Sequence, residues 1–184
     1  MKKSGILVWD LPTRAFHWLL ALSFVGAFAT ADSERLRDVH VFLGYTMLGL
    51  VAFRLVWGLL GPRYARFSSF AFGPRAVAAY LRSLLTRSPQ HHLGHNPAGS
   101  WAIYALLGLT LLAGATGYAT YNELGGHWTE ELHEAAANTL LAVVLVHVAG
   151  VLVSSLIHRE NLARAMLTGY KSGDPAHAHP SGRG

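Results

Sequence analysis

Four long apolar runs restrict this chain more than any other feature of its sequence. They are Ala15 to Ala31, Val39 to Leu60 (interrupted by Arg54), Trp101 to Ala119, and about Leu132 to Ile157. Each approaches the ~20 residues that a helix needs to cross a bilayer. The runs are rich in Leu and Ala and lack period-two alternation, which predicts helices and not strands. Their apolar character continues all the way round each helix, so the surface they demand is lipid. Only 14% of the 184 residues are charged, against about a quarter in soluble domains. The expected fold is an all-α membrane protein, a bundle of four transmembrane helices. One domain is expected over residues 1–171, with 172–184 a polar, disordered tail. Lys2 and Lys3 ahead of the first run, and Ala29-Thr30-Ala31 at its end, resemble a signal peptide. The long polar lead-in with Asp10, Pro12 and Arg14, and His17 inside the run, point instead to a retained first span.

The basic residues orient the bundle. Lys2, Lys3 and Arg14 precede it; Arg63, Arg66, Arg75, Arg82 and Arg87 lie between the second and third runs; Arg159, Arg164, Lys171 and Arg183 follow the fourth. The other side carries Arg35 and Arg37 among six carboxylates: Asp32, Glu34, Asp38, Glu123, Glu130 and Glu131. The positive-inside rule then places both termini and the long loop in the cytoplasm. Because the arginines punctuate apolar runs, the net charge of +5 speaks for membrane topology and against nucleic acid. In the long loop, Pro74 starts a stripe of Val77, Tyr80, Leu81, Leu84 and Leu85 at helical spacing, read as a short interfacial helix.

Without cysteine, iron–sulfur clusters, zinc–thiolate sites and covalently attached haem are excluded. Eleven histidines remain to be explained. His91, His92, His95, His177 and His179 fall in loop or tail and are expected to be solvated, without a role. His127 belongs to the external loop and His158 to the internal end of the fourth helix. His17, His40, His133 and His147 lie inside the spans, where an ionisable group is costly and by default functional. His133 and His147 are 14 residues apart on one helix, about 21 Å along its axis and close to four full turns. His40 and His133 share the external level, and His17 and His147 the cytoplasmic level. Two imidazole pairs at two depths suit two haems, each iron taking two axial nitrogens, an arrangement for electron transfer. The other reading of each histidine is a buried imidazole bonded to a neighbouring helix. Arg54 shares the face of His40, 14 residues on, near the cytoplasmic level. It either neutralises a haem propionate or snorkels to the headgroups. Gly26, Gly44, Gly49, Gly108 and Gly114 admit close approach of a macrocycle or of another helix. Trp18, Trp57 and Trp101 read as interface anchors.

The string Val8-Trp9-Asp10-Leu11-Pro12-Thr13-Arg14-Ala15-Phe16-His17-Trp18 resembles the opening of the bacterial cytochrome b561 family, which includes the b-type cytochrome subunits of nickel–iron hydrogenases. His40-Val41-Phe42-Leu43-Gly44-Tyr45, Arg54 to Arg63, Gly94-His95-Asn96-Pro97-Ala98-Gly99, Leu132-His133-Glu134 and His147-Val148-Ala149-Gly150 extend the resemblance to about Lys171. It implies two b haems, ligated by His17 with His147 and by His40 with His133, and electron exchange with the quinone pool. A periplasmic redox protein, a cytochrome c or a dehydrogenase or hydrogenase subunit, is the implied partner. The short external loops leave a stand-alone member equally open. Two alternatives are a quinone reductase that oxidises a small periplasmic donor such as superoxide, and a haem-free transporter or assembly subunit. The net-acidic external loops weigh against superoxide. The missing inverted repeat weighs against a transporter.

Overall fold

The computed structural model describes residues 5–86 and 94–172. The solvated loop and tail expected at His91, His92, His177 and His179 lie outside the described residues, as do Lys2, Lys3, Arg87 and Arg183. In chain order the elements are strand β1 (Gly5–Leu7), helices α1 (Leu11–Ala29), α2 (Arg37–Leu60), α3 (Pro74–Leu85), α4 (Pro97–Tyr121), α5 (His127–His158) and α6 (Leu162–Thr168), and strand β2 (Tyr170–Ser172). All four apolar runs are helical, each starting two to five residues ahead of its run. The capping residues explain the early starts. Asp10 Oδ1 accepts from the Thr13 amide at 2.7 Å with Pro12 in the first turn, and Asn96 Oδ1 accepts from the Gly99 amide at 2.7 Å ahead of Pro97. A side-chain acceptor satisfies one of the orphan amides of the first turn.

Among the described residues, three helices are long and apolar enough to cross a membrane: α2, with the short turn before it, α4 and α5. Only 6% of the apolar window of α5 is buried within the protein, so most of its apolar surface faces outward. Leu145, Val146, Leu152 and Leu156 are among its exposed side chains. Residues of that size left bare over about three turns mark a lipid-facing surface. The fourth expected span, α1, is long enough at 19 residues but contains Arg14 and His17, and it is less apolar than the other three. It packs along α2, while α4 packs against both α2 and α5. Ala27, Met47 and Leu140, from α1, α2 and α5, form one core cluster with Leu106 and Leu109 of α4 around it. Phe16, Val51 and Leu107 form a second, toward the arginine-rich end.

That end carries a layer the sequence did not announce. Strands were not expected, yet β1 pairs antiparallel with β2, Ile6 opposite Lys171. Both are three residues long, too short to show a period in the sequence. The amides of Val8 and Trp9 both donate to the carbonyl of Gly169, at 2.9 and 3.1 Å. Gly169 has φ +88°, and a Cβ there would stand 2.7 Å from the Trp9 carbonyl oxygen, so only glycine fits. Val8, Trp9 and Ala165 bury themselves under this clasp. The three tryptophans read as interface anchors have definite partners in the layer. Trp57 donates to Asp10 Oδ2 at 3.0 Å, Trp101 to the Phe72 carbonyl at 2.9 Å, and Trp18 to the Met166 carbonyl at 3.4 Å. Helix α3 lies against α4, with Tyr80 2% exposed and Leu81 48% exposed. The stripe is therefore split between the protein and the outside.

Candidate cofactor site

The bundle sets His40 beside His133, and His17 within electrostatic reach of His147. At the acid-rich end, His40 of α2 and His133 of α5 face each other with ring centroids 6.1 Å apart and planes at 87°. His40 Nδ1 lies 2.8 Å from the Ala27 carbonyl oxygen, and His133 Nδ1 lies 2.8 Å from that of Ala113. A carbonyl oxygen only accepts, so Nδ1 carries the proton in both rings and Nε2 keeps its lone pair. Two imidazoles on one metal, with bonds of about 2 Å and about 1 Å more to each ring centre, would stand roughly 6 Å apart. Fixing the tautomer through Nδ1 is how proteins orient metal-binding imidazoles.

The pair opens into a cleft whose other walls include Arg37, Gly44, Tyr45, Gly117, Tyr118 and Tyr121. A Cβ on Gly44 would meet nothing within 4 Å, which leaves a flat bed beside His40. On the opposite wall, a Cβ on Gly117 would stand 2.9 Å from His133 Cε1, so this glycine makes room for the imidazole. The other glycines divide. Gly26 and Gly114 admit Leu43 and Leu48 of the neighbouring helix, while Gly49 and Gly108 are exposed with nothing near. The Arg37 guanidinium sits 5.7 Å from the Tyr121 ring centre at the mouth of the cleft. Arg37, Gly117 and the tyrosines were not singled out in the sequence. The one signal available was Arg37 standing a single turn ahead of His40.

At the arginine-rich end, His17 of α1 and His147 of α5 lie within electrostatic reach of each other, and His17 Nδ1 is enclosed without a hydrogen-bond partner. Arg54 is 3% exposed. It does not snorkel. Its guanidinium lies 4.7 Å from the Phe67 ring centre, and Nη1 is enclosed without a partner. His95, expected to be solvated, is instead drawn under the clasp. Its ring is held between Trp9, at 4.6 Å, and Phe70, at 4.4 Å. The loop before α4 folds back onto the bundle there, and aromatic faces replace water. Burial, with the charges of Arg54, Lys171 and His147 adding to it, pushes the His95 imidazole down to about 3, so it is neutral at physiological pH. Lys171 is 6% exposed, its Nζ 5.8 Å from the Trp9 ring centre, and burial draws its ammonium down while Glu160 draws it up. His127 is the first residue of α5 and not part of a loop. It faces Glu130 at 3.5 Å and Glu131 at 3.2 Å, so it adds no positive patch to the acidic end.

Paired imidazoles with fixed tautomers, between apolar helices, are the donor set of a haem protein. Residues 8–169 match the family described as prokaryotic cytochrome b561. The chain belongs to that family. It is similar to the probable Ni/Fe-hydrogenase B-type cytochrome subunit of Azotobacter chroococcum mcd 1, 25% identical over 92% of this chain and 90% of the relative. The protein of the same description from Rhizobium leguminosarum bv. viciae is 22% identical over 92% and 90%. That from Cupriavidus necator is 25% identical over 90% and 86%. No solved structure gives a significant match. This cytochrome b561 is thus a multi-pass membrane protein of electron transfer, with haem b as its cofactor.

Proposed function

We propose that this cytochrome b561 carries two haems and passes electrons across the bacterial inner membrane, between a periplasmic redox partner and the quinone pool. His40 and His133 hold the external haem; His17 and His147 hold the cytoplasmic one. The observation that carries the reading is the 6.1 Å couple of His40 and His133, each with Nδ1 committed to a backbone carbonyl. Haem b supplies a reversible one-electron couple when bound, and an iron saturated by two imidazoles favours electron transfer over oxygen binding. The chain's residues do the rest. The carbonyls of Ala27 and Ala113 fix the tautomers, Gly44 and Gly117 leave room, and the lipid-facing helices exclude water. Arg54, buried with a free N–H, neutralises a propionate of the cytoplasmic haem.

The arginine-rich end is taken as cytoplasmic by the positive-inside rule. The 19 residues of α1 extend about 28 Å, close to the hydrocarbon thickness, so α1 counts as the fourth span. Helix α3 then lies in the cytoplasmic interface. The relatives' names connect them with a nickel–iron hydrogenase, and a hydrogenase or a small cytochrome c is the proposed partner. The acidic surround of His127 disfavours superoxide as a donor. Reduced-minus-oxidised spectra with haem quantitation test the reading. Two b haems per chain, reoxidised by a water-soluble quinone, are expected; a colourless protein, or a single haem, overturns it.

A further inference from the structure

Among the described residues, five enclosed side-chain polar atoms at the arginine-rich end have no hydrogen-bond partner: Thr13 Oγ1, Arg14 Nε, His17 Nδ1, Arg54 Nη1 and His95 Nδ1. Arg54 Nη1 and His95 Nδ1 are both buried and unbonded. The charges of Arg54, Lys171 and His147 all act on His95, so the four side chains belong to one neighbourhood. A continuous stack joins them: Lys171 over Trp9, Trp9 against His95, His95 against Phe70, Phe70 5.8 Å from Phe67, and Phe67 under Arg54. The aromatic rings fix the polar groups in orientation but accept no conventional hydrogen bond from them. Two acids act here from a distance, Asp10 on Arg54 and Glu160 on Lys171, but the Asp10 oxygens already accept from the Thr13 amide and from Trp57. A buried guanidinium and a clamped imidazole without acceptors are costly, and the missing ligand is one that offers anionic oxygens.

We propose that Arg54, His95 and Lys171 form an anion niche that receives the two propionate carboxylates of the cytoplasmic haem, with His95 as its positioning residue. This rests on the haem reading above, and it assigns His95 and Lys171 a task that ligation by His17 and His147 does not cover. The charge of His147 acts on His95, so a haem held by that imidazole would lie on the side of the niche. Arg54 offers a charge-assisted N–H. His95 Nδ1, unbonded and clamped between Trp9 and Phe70, offers a second donor in the tautomer that carries the proton there. Lys171 supplies positive charge from the far side of Trp9.

The test uses the full chain purified with its haem, titrated for midpoint potential and examined by resonance Raman spectroscopy in the propionate-bending region. Losing a donor leaves more negative charge on the propionate, which favours ferric iron. Arg54→Gln and His95→Leu are each expected to lower the midpoint of the cytoplasmic haem, to shift its propionate band, and to leave the external haem unmoved. His95→Gln, which keeps a donor, is expected to retain the native band. Should His95→Leu lose the haem, His95→Gln decides: retention with the native band supports the niche, and loss overturns it. Equal shifts at both haems, a potential shift without a band shift, or altered co-purifying anionic lipid with the band unchanged each overturn it. A colourless native protein ends the haem reading itself. A coloured protein whose band ignores both variants ends only the niche.

Discussion

The two ends of the bundle hold the same kind of side-chain couple in different ways. At the acid-rich end, His40 and His133 are fixed by helix backbone, each Nδ1 on a carbonyl one helix away, and the cleft between them is open past Gly44. At the arginine-rich end, His17 Nδ1 finds no partner, and the couple lies beneath a roof made by the β1–β2 clasp, α6 and the loop carrying His95. The first site is a product of helix packing. The second is finished by side chains drawn from segments far apart in sequence. Under the proposed function, the external haem should depend on the glycines and on register, and the cytoplasmic haem on the charges in the roof.

The largest effect expected is selective loss of one haem. His40→Ala or His133→Ala should remove about one haem equivalent per chain and one redox wave, and His17→Ala or His147→Ala should remove the other. Haem quantitation with redox titration would expose a wrong pairing, because any crossed loss breaks the comparison. Next comes Gly117→Ala. Its Cβ would press on His133 Cε1 from 2.9 Å, so haem retention at the external site should weaken by about tenfold, with the cytoplasmic site untouched. Equal weakening of both, read by haem competition with apomyoglobin, would erase the contrast.

The roof gives smaller effects. Asp10→Ala removes both the cap of α1 and the acceptor of Trp57, and should cost about 1–2 kcal/mol in detergent unfolding. Trp57→Phe, which leaves the cap, should cost less. Lys171→Met is the smallest and has a sign that depends on the cofactor. Burial lowers the Lys171 pKa, so its folded state binds the proton less tightly than the unfolded chain, and the penalty is present at neutral pH. In haem-extracted protein the substitution should therefore stabilise at pH 7 by about 1 kcal/mol. The gain should vanish as pH rises toward the ordinary lysine range, where the unfolded chain also loses its proton. With haem bound, loss of the propionate's counter-charge should reverse the sign. A gain that persists with haem would detach Lys171 from the niche.

Much of the acid-rich end was legible because a helix is a ruler. Fourteen residues between His133 and His147 fix their separation and their shared face before any packing is known. The arginine-rich end was not legible. His95 sits in a polar stretch that reads as solvent-exposed, and its Nδ1 is enclosed only because Trp9 and Phe70, 86 and 25 residues earlier in the chain, close on the ring. Arg54 was balanced between a propionate and the headgroups; its 3% exposure is an outcome of Phe67 folding back over α2.

The sequence by itself determined the apolar helices, the end at which basic residues gather, and the axial spacing of the histidines on each helix, because those follow from hydropathy and from a fixed rise per residue. Only the tertiary structure decided which nitrogen of His40 and His133 is committed to a carbonyl, which glycines face a cleft and which a neighbouring helix, and that His95 comes within electrostatic reach of Arg54 and Lys171. These depend on helix rotation and on loops that return from far along the chain, and no local periodicity encodes either.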